Sequence, residues 1–199
     1  DDAPGGIRIV DTNNDGSLTP EDRVALGTPY PDFTWGITNT FQIKDFDISF
    51  LIQGVQGITV LNGDVYYNET KKWNKKYTKN RWVSAEHPGD GKTPYQNVKT
   101  GHDLMLTDYP LQNASYACLR NFTVGYTLPA TAARKIKLSG VRFYVSGSNL
   151  LYIWGSGYKG INPESRMTSG NYSSAMISGY QRGGFPLTST ISAGFDINF

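Results

Sequence analysis

Residues 189–199 read STISAGFDINF. Taken in twos, Ile191, Ala193, Phe195, Ile197 and Phe199 form one row, and Ser192, Gly194, Asp196 and Asn198 form the other. Successive side chains of a strand point to opposite faces, so the stretch is a strand with one apolar and one polar side. The alternation runs back to Leu187 and predicts a strand over 187–199. Soluble strands are usually about 5–6 residues long. A tilted strand crossing a bilayer needs about 9–11.

The same pattern recurs upstream. DFTWGITNTFQI sets Phe33, Trp35, Ile37, Phe41 and Ile43 against Thr34, Gly36, Thr38, Thr40 and Gln42. DFDISFLIQG sets Phe46, Ile48, Phe50 and Ile52 against Asp45, Asp47, Ser49 and Gln53. YACLRNFTVGYTL, predicted as a strand over 115–128, sets Phe122, Val124, Tyr126 and Leu128 against Asn121, Thr123, Gly125 and Thr127. On this phase Cys118 falls on the apolar row. GVRFYVSGSNLLYIW sets Val141, Phe143, Val145, Leu151 and Ile153 against Arg142, Ser146 and Ser148, with Tyr144, Leu150 and Tyr152 out of step. Dense aromatics on one row and Thr, Ser, Gly, Asn and Asp on the other are the alternation of a transmembrane β-barrel. A soluble β-sandwich alternates too and is the competing fold.

Composition agrees with an all-β chain. There are 22 Gly, 13 Tyr, 9 Phe and 4 Trp, with 38% hydrophobic residues. A net charge of +2 gives no general pull toward nucleic acid. One cysteine, Cys118, excludes an intrachain disulfide. Runs of about 18 apolar residues are absent, which excludes a transmembrane helix but not a barrel. The opening DDAPGGIRIV has neither a basic nor an apolar leader region, so either a leader is removed or the chain is the tail of a longer one.

The connections sharpen the choice. Only Lys44 and Asp45 join the strands over 33–43 and 46–53, and a short segment, PATAARKIKLSG, joins those over 115–128 and 141–153. The stretches 54–112 and 155–185 are long. Short turns on one side and long loops on the other match an outer-membrane barrel, with short periplasmic turns and long extracellular loops. Residues 1–31 then lie outside the cell, and 32–199 supply barrel strands and loops. Five strands leave open edges, so they belong to a larger barrel. Phe195, Ile197 and the terminal Phe199 resemble the signal that outer-membrane proteins present to their insertion machinery.

DTNNDGSLTPED carries a different chemistry. Asp11, Asn13 and Asp15 occupy positions one, three and five of a calcium-type loop. Gly16 takes the sharp turn, Ser17 offers its carbonyl, and Asp22 closes the loop. Leu18 is expected to pin the loop into a core. Oxygen donors alone suit Ca²⁺ as a structural ion rather than Zn²⁺. The alternative is a metal-free Asx-rich turn before a short helix capped at Thr19-Pro20.

Other candidates are weaker. Tyr66, Tyr67, Trp73, Tyr95 and Tyr158 could stack on sugar rings, and equally could pack a loop. NETKKWNKKYTKNRW interleaves Lys and Arg with aromatics, yet an amphipathic loop helix explains it as well as nucleic-acid binding does. His87 and His102 read as surface residues. Asp45 and Asp47 share strand spacing and are expected to face the polar interior together. No nucleophile–base arrangement emerges, so an enzyme is not expected.

The blocks GGIRIVDTNNDGSLTPEDRVALGTPYPDFTWGITNTFQIKDFDISFLIQGVQG, NASYACLRNFTVGYTLP, VRFYVSGSNLLYIW and GYKGINPES, with the aromatic last strand, resemble the C-terminal portion of the SusC/RagA group of TonB-dependent outer-membrane transporters. The resemblance covers essentially the whole chain. It implies a Bacteroidetes source, a plugged barrel of about 22 strands, and a SusD-like surface lipoprotein partner. It also implies energy from TonB, contacted through an N-terminal region outside this sequence, and oligosaccharide uptake, with a peptide-importing branch. A soluble secreted calcium-stabilised carbohydrate-binding sandwich is the alternative from another class. It would bury the Phe199 row against a second sheet.

Overall fold

The computed structural model describes residues 4–63, 79–95, 107–165 and 179–199. Two sheets organise them. The larger has five antiparallel strands in the order β1 (Phe33–Ile43), β2 (Phe46–Gln56), β5 (Tyr116–Thr127), β6 (Gly140–Trp154) and β8 (Thr190–Asn198). The smaller joins β4 (Leu111–Asn113), β3 (Thr59–Asn62) and β7 (Tyr180–Gln181), with β3 and β7 parallel. Its strands come from the stretches expected to be loops, and are too short to show a period of two.

Cross-strand register collects the apolar rows on one face. Phe41, Ile48, Val124, Val145 and Ala193 lie in one line across all five strands, and Tyr126, Phe143 and Phe195 in another. The face stays uncovered. Phe143 is 51% exposed, Ile191 74% and Phe195 64%. Monomeric soluble proteins seldom leave an apolar patch of this extent open. Asp47, Ser49, Thr123, Gly125, Arg142, Ser146, Ser192 and Asp196 line the other face.

The short connections sit together at one end. Lys44 adopts a left-handed backbone (φ 55°) in the β1–β2 turn, and helix α1 (Ala130–Lys135) fills the β5–β6 link. At the opposite end the small sheet packs on Val55 through Ile58, Val60, Ala114 and Tyr158. Residues 28–32 join that end, where the Thr59 amide donates to the Thr28 carbonyl at 2.7 Å.

Three expectations need correction. First, the last strand begins at Thr190, not Leu187. Pairing with β6 stops at Ser148–Thr190, because Asn149 turns left-handed (φ 55°). Beyond it, the Ser189 hydroxyl donates to the Asn149 carbonyl at 2.6 Å instead of continuing the ladder. Second, β5 carries a bulge at Arg120: Leu51 pairs with Asn121 but Ile52 with Leu119. An extra residue reverses the side-chain alternation beyond it. Cys118 therefore lies on the polar side opposite Gln53 and Tyr152, 1% exposed, not on the apolar row. Third, Leu18 is 58% exposed and enters no core among the described residues.

The burial of Cys118 predicts that a maleimide reagent leaves it unlabelled in the folded protein and labels it fully after denaturation. Fast labelling of the native form, read by mass spectrometry, would contradict this placement.

Candidate functional site

The polar face holds two clusters of charge. Near the short-turn end, Arg142 on β6 grips Asp47 on β2 through both carboxylate oxygens, at 3.0 Å and 2.7 Å. It also donates to Asp196 on β8 at 3.3 Å. The planar guanidinium fork matches a carboxylate bidentately, which gives direction as well as charge. Strand β5 lies between, and the contact passes over Gly125, where any Cβ would run into both partners. Tyr144 offers its ring 5.2 Å from the guanidinium and lays its hydroxyl over Gly194. One arginine thus spans four neighbouring strands. Asp45 stays in the β1–β2 turn, so of the two carboxylates expected to face the polar interior Asp47 alone stands on the strand, and it is paired with Arg142 rather than solvated.

Toward the other end the bulged Arg120 donates to Asn149 at 2.7 Å and to the Tyr152 hydroxyl at 2.9 Å, and forms an ion pair with Glu164. The Tyr152 hydroxyl donates to Glu164 at 3.0 Å. Glu164 is placed by its amide on the Asn162 side chain at 2.9 Å. The cluster ties the segment after β6 to the wall. Tyr144 and Tyr152, out of step in the sequence pattern, are polar-face residues using their hydroxyls or rings as partners. Neither arginine was singled out from sequence, because their partners come from strands whose relative register no short turn fixes.

The calcium-type loop is curled on its own acceptors. Asp11 accepts from the Asp15 and Gly16 amides at 3.3 Å and 2.8 Å. Asn13 accepts from the Asp15 amide at 3.0 Å, and Asp15 from the Ser17 amide at 2.8 Å. Gly16 has φ 83°, which favours glycine. Asp22 closes the loop, accepting from the Thr12 and Thr19 amides, each at 2.8 Å. It also ends the 3-10 turn Pro20–Asp22, capped by Thr19. Asp11 and Asp22 are half-buried and Asn13 and Asp15 exposed, and among the described residues no three acidic or histidine side chains are gathered as a metal site; the oxygen-only donor types are those that suit a hard cation.

The Thr19 amide, followed by that of Thr12, holds the Asp22 carboxyl below its ordinary value. A depressed carboxylate stabilises the folded loop above its unfolded pKa of about 3.9, and that contribution is lost as pH falls through the folded value. The Thr12 and Thr19 amide resonances are therefore expected to titrate together with a midpoint below about 3.9, and Asp22→Asn to abolish the transition. Threonine-labelled NMR reads both.

The remaining candidates separate. Tyr66, Tyr67 and Trp73 lie outside the described residues, as do His102 and most of the Lys-rich stretch. Tyr158 is 9% exposed; its hydroxyl donates to Gln181 at 2.8 Å and its ring meets Trp154 edge-on at 6.1 Å. Phe195 and Ile197 stand on the open apolar face, and Phe199 is 94% exposed.

No family model matches the chain. TonB-dependent receptor P3 of Formosa agariphila is 30% identical over 206 residues, covering 100% of this chain and 19% of that protein. TonB-dependent receptor SusC of Bacteroides thetaiotaomicron is 27% identical over 157 residues, covering 78% of this chain and 15% of SusC. The solved structure of the RagAB peptide transporter superposes with a TM-score of 0.71 at 20% identity, over 92% of this chain and 19% of that one. The chain spans about one fifth of the length of the relatives it matches.

Proposed function

From the premise that the chain fits a C-terminal part of a SusC/RagA-like TonB-dependent receptor, we propose that it builds one wall of an outer-membrane importer of oligosaccharides. The observation that carries this reading is the one-sided sheet. Among the described residues no second sheet packs over its apolar face, which is exposed on most of β1, β6 and β8 and half-buried on most of β2 and on β5, its polar face is cross-linked by arginine, and each edge strand pairs on one side alone. Lipid covers such a face, and further strands of the same barrel satisfy such edges. A soluble sandwich would need a second sheet over Phe195 and Phe143, and the smaller sheet packs at one end instead.

In this reading the polar face lines the passage, and residues 1–31 with the small sheet stand outside the cell. A SusD-like lipoprotein caps the barrel. TonB supplies energy through a part of the receptor outside this sequence. The row Phe195, Ile197 and Phe199 serves the insertion machinery. Detergent extracts of outer membranes test the reading. Peptides of this chain are expected in a heat-modifiable species several times its own mass, with a lipoprotein co-purifying. A free species of 22.0 kDa, unchanged by boiling, would overturn it.

A peptide importer is the second reading, favoured by the name of the RagAB structure. Deleting the gene should abolish growth on an oligosaccharide under the first reading, and on peptides under the second.

Calcium is proposed at Asp11, Asn13, Asp15, Ser17 and Asp22, as a brace for the outer segment. Terbium, which replaces calcium on oxygen ligands, should bind to the intact protein. Asp15→Ala should weaken it at least about tenfold, the loss of about 1.4 kcal/mol. Unchanged terbium luminescence in that variant would remove the proposed brace.

A further inference from the structure

Three segments converge on a cavity of about 360 Å³ at the long-connection end of the sheet. Residues 5–8 form one side, 82–94 the second, and 108–109 the third. Its walls are held firmly. The Tyr95 amide donates to the Gly5 carbonyl at 2.9 Å, and the Trp82 indole lies flat where a Gly5 Cβ would be. Asp90 accepts from the Lys92 amide at 2.9 Å, from the Thr93 amide at 2.7 Å and from the Thr93 hydroxyl at 2.9 Å. Gly89, at φ 70°, packs against the Asn80 carbonyl. The loop presenting Lys92 is thus built before any ligand arrives, which lowers the ordering cost of binding.

The lining chemistry has a direction. Arg8 and Lys92 both line the cavity, and neither side chain meets a carboxylate among the described residues. The Lys159 ammonium stands 5.5 Å from the Tyr109 ring, behind the lining, where its charge is opposed by Asp90. Asp108 is the one acid of the lining. Gly91, at φ 69°, leaves open space in front of the backbone. The volume falls in the range of small-molecule sites, about 300–1,000 Å³.

Two cations without a carboxylate partner among the described residues ask for an anion, and Asp108 asks for a hydroxyl donor. A ring carrying both an acidic group and hydroxyls answers both, with the Trp82 indole as its apolar wall. We propose that this cavity binds an acidic sugar unit, one bearing a carboxylate or a sulfate ester, with Arg8 and Lys92 on the acid and Asp108 on a hydroxyl. This rests on the importer reading for its biological setting and not for its chemistry.

The test uses the full-length receptor in detergent and a heparin-derived hexasaccharide, which carries carboxylates and sulfates. Its desulfated, carboxyl-reduced form is the neutral control. The acidic form is expected to bind at least tenfold more tightly than the neutral one. The Arg8→Ala/Lys92→Ala variant is expected to lose at least tenfold for the acidic form, while retaining its heat-modifiable band. Lys135→Ala on α1, at the far end of the sheet, is expected to change nothing. Equal binding of both sugars, no binding of the acidic one, or an unaffected double variant would each overturn the site. Competition with lipopolysaccharide vesicles separates sources: displacement assigns a lipid-borne acidic sugar, and its absence a soluble one. Loss of uptake with binding intact counts against the importer reading alone.

Discussion

Val145→Arg is expected to cost about 2–4 kcal/mol of barrel stability, the penalty for a cation on the lipid face near mid-depth. Val145 sits in the middle of β6, 53% exposed, between Val124 and Ala193 on the apolar face. Ser146→Arg, one residue along, is expected to cost less than about 1 kcal/mol, because lumen positions tolerate charge. Ser146 faces Thr123 and Ser192 across its neighbours on the polar side. Urea titration of the full-length receptor folded into phospholipid vesicles, with the heat-modifiable band as readout, measures both. Equal costs at the two positions would mean that the two faces do not meet different solvents, and the membrane reading would fall with that result.

Breaking the arginine clamp should have the next largest effect on the stability of the wall. Arg142→Met leaves Asp47 and Asp196 without their partner. Losing hydrogen bonds to a charged group costs about 1.5–3 kcal/mol. The side chains of Arg142 and Asp47 are 31% and 26% exposed, so solvent screening brings the expected loss nearer about 1 kcal/mol. Gly125→Val reaches the same contact from another direction, because its branched side chain displaces both carboxylate and guanidinium. The two substitutions should therefore be clearly less than additive. Full additivity in the urea titration would show that Gly125 is kept for a reason other than the clamp. A control at Gly36, whose Cβ would meet only a carbonyl oxygen at 3.8 Å, should be mild.

Much of the wall was legible because its strands are long and alternate over most of their length. Phe33–Ile43 begins and ends where the pattern does, and the two residues between it and Phe46 leave no freedom of register. The far end was not legible. Thr59–Asn62, Leu111–Asn113 and Tyr180–Gln181 are too short for periodicity, and β3 pairs in parallel with a strand far along the sequence. The calcium-type loop could be read because its donors are local in sequence. The fate of Leu18 could not, since an apolar position says that a core is wanted and not where it lies. Arg8 and Lys92 carried no local signal, as they meet at the cavity only after the small sheet has formed.

The bulge at Arg120 has a further consequence for how this wall tolerates change. Odd and even positions of β5 exchange sides there: Phe122, Val124 and Tyr126 share the apolar face with Leu119 and Ala117. Strand β6 absorbs two residues at the same level, Asn149 and Leu150, and keeps its parity. Deleting Arg120 would therefore remove the bulge and its cation but keep the faces: Leu119 would follow Asn121 directly, with Ala117 and Leu119 still on the apolar side and Tyr116 and Cys118 still on the polar side. Deleting Leu119 or Asn121 instead, with the bulge kept, would exchange the sides of the residues beyond. Away from the bulged residue, paired deletions within one strand conserve parity, whereas single ones invert everything beyond them. The chain is thus written in two reading phases joined at one residue, and a substitution tolerated in one phase is misplaced when carried, position for position, into the other.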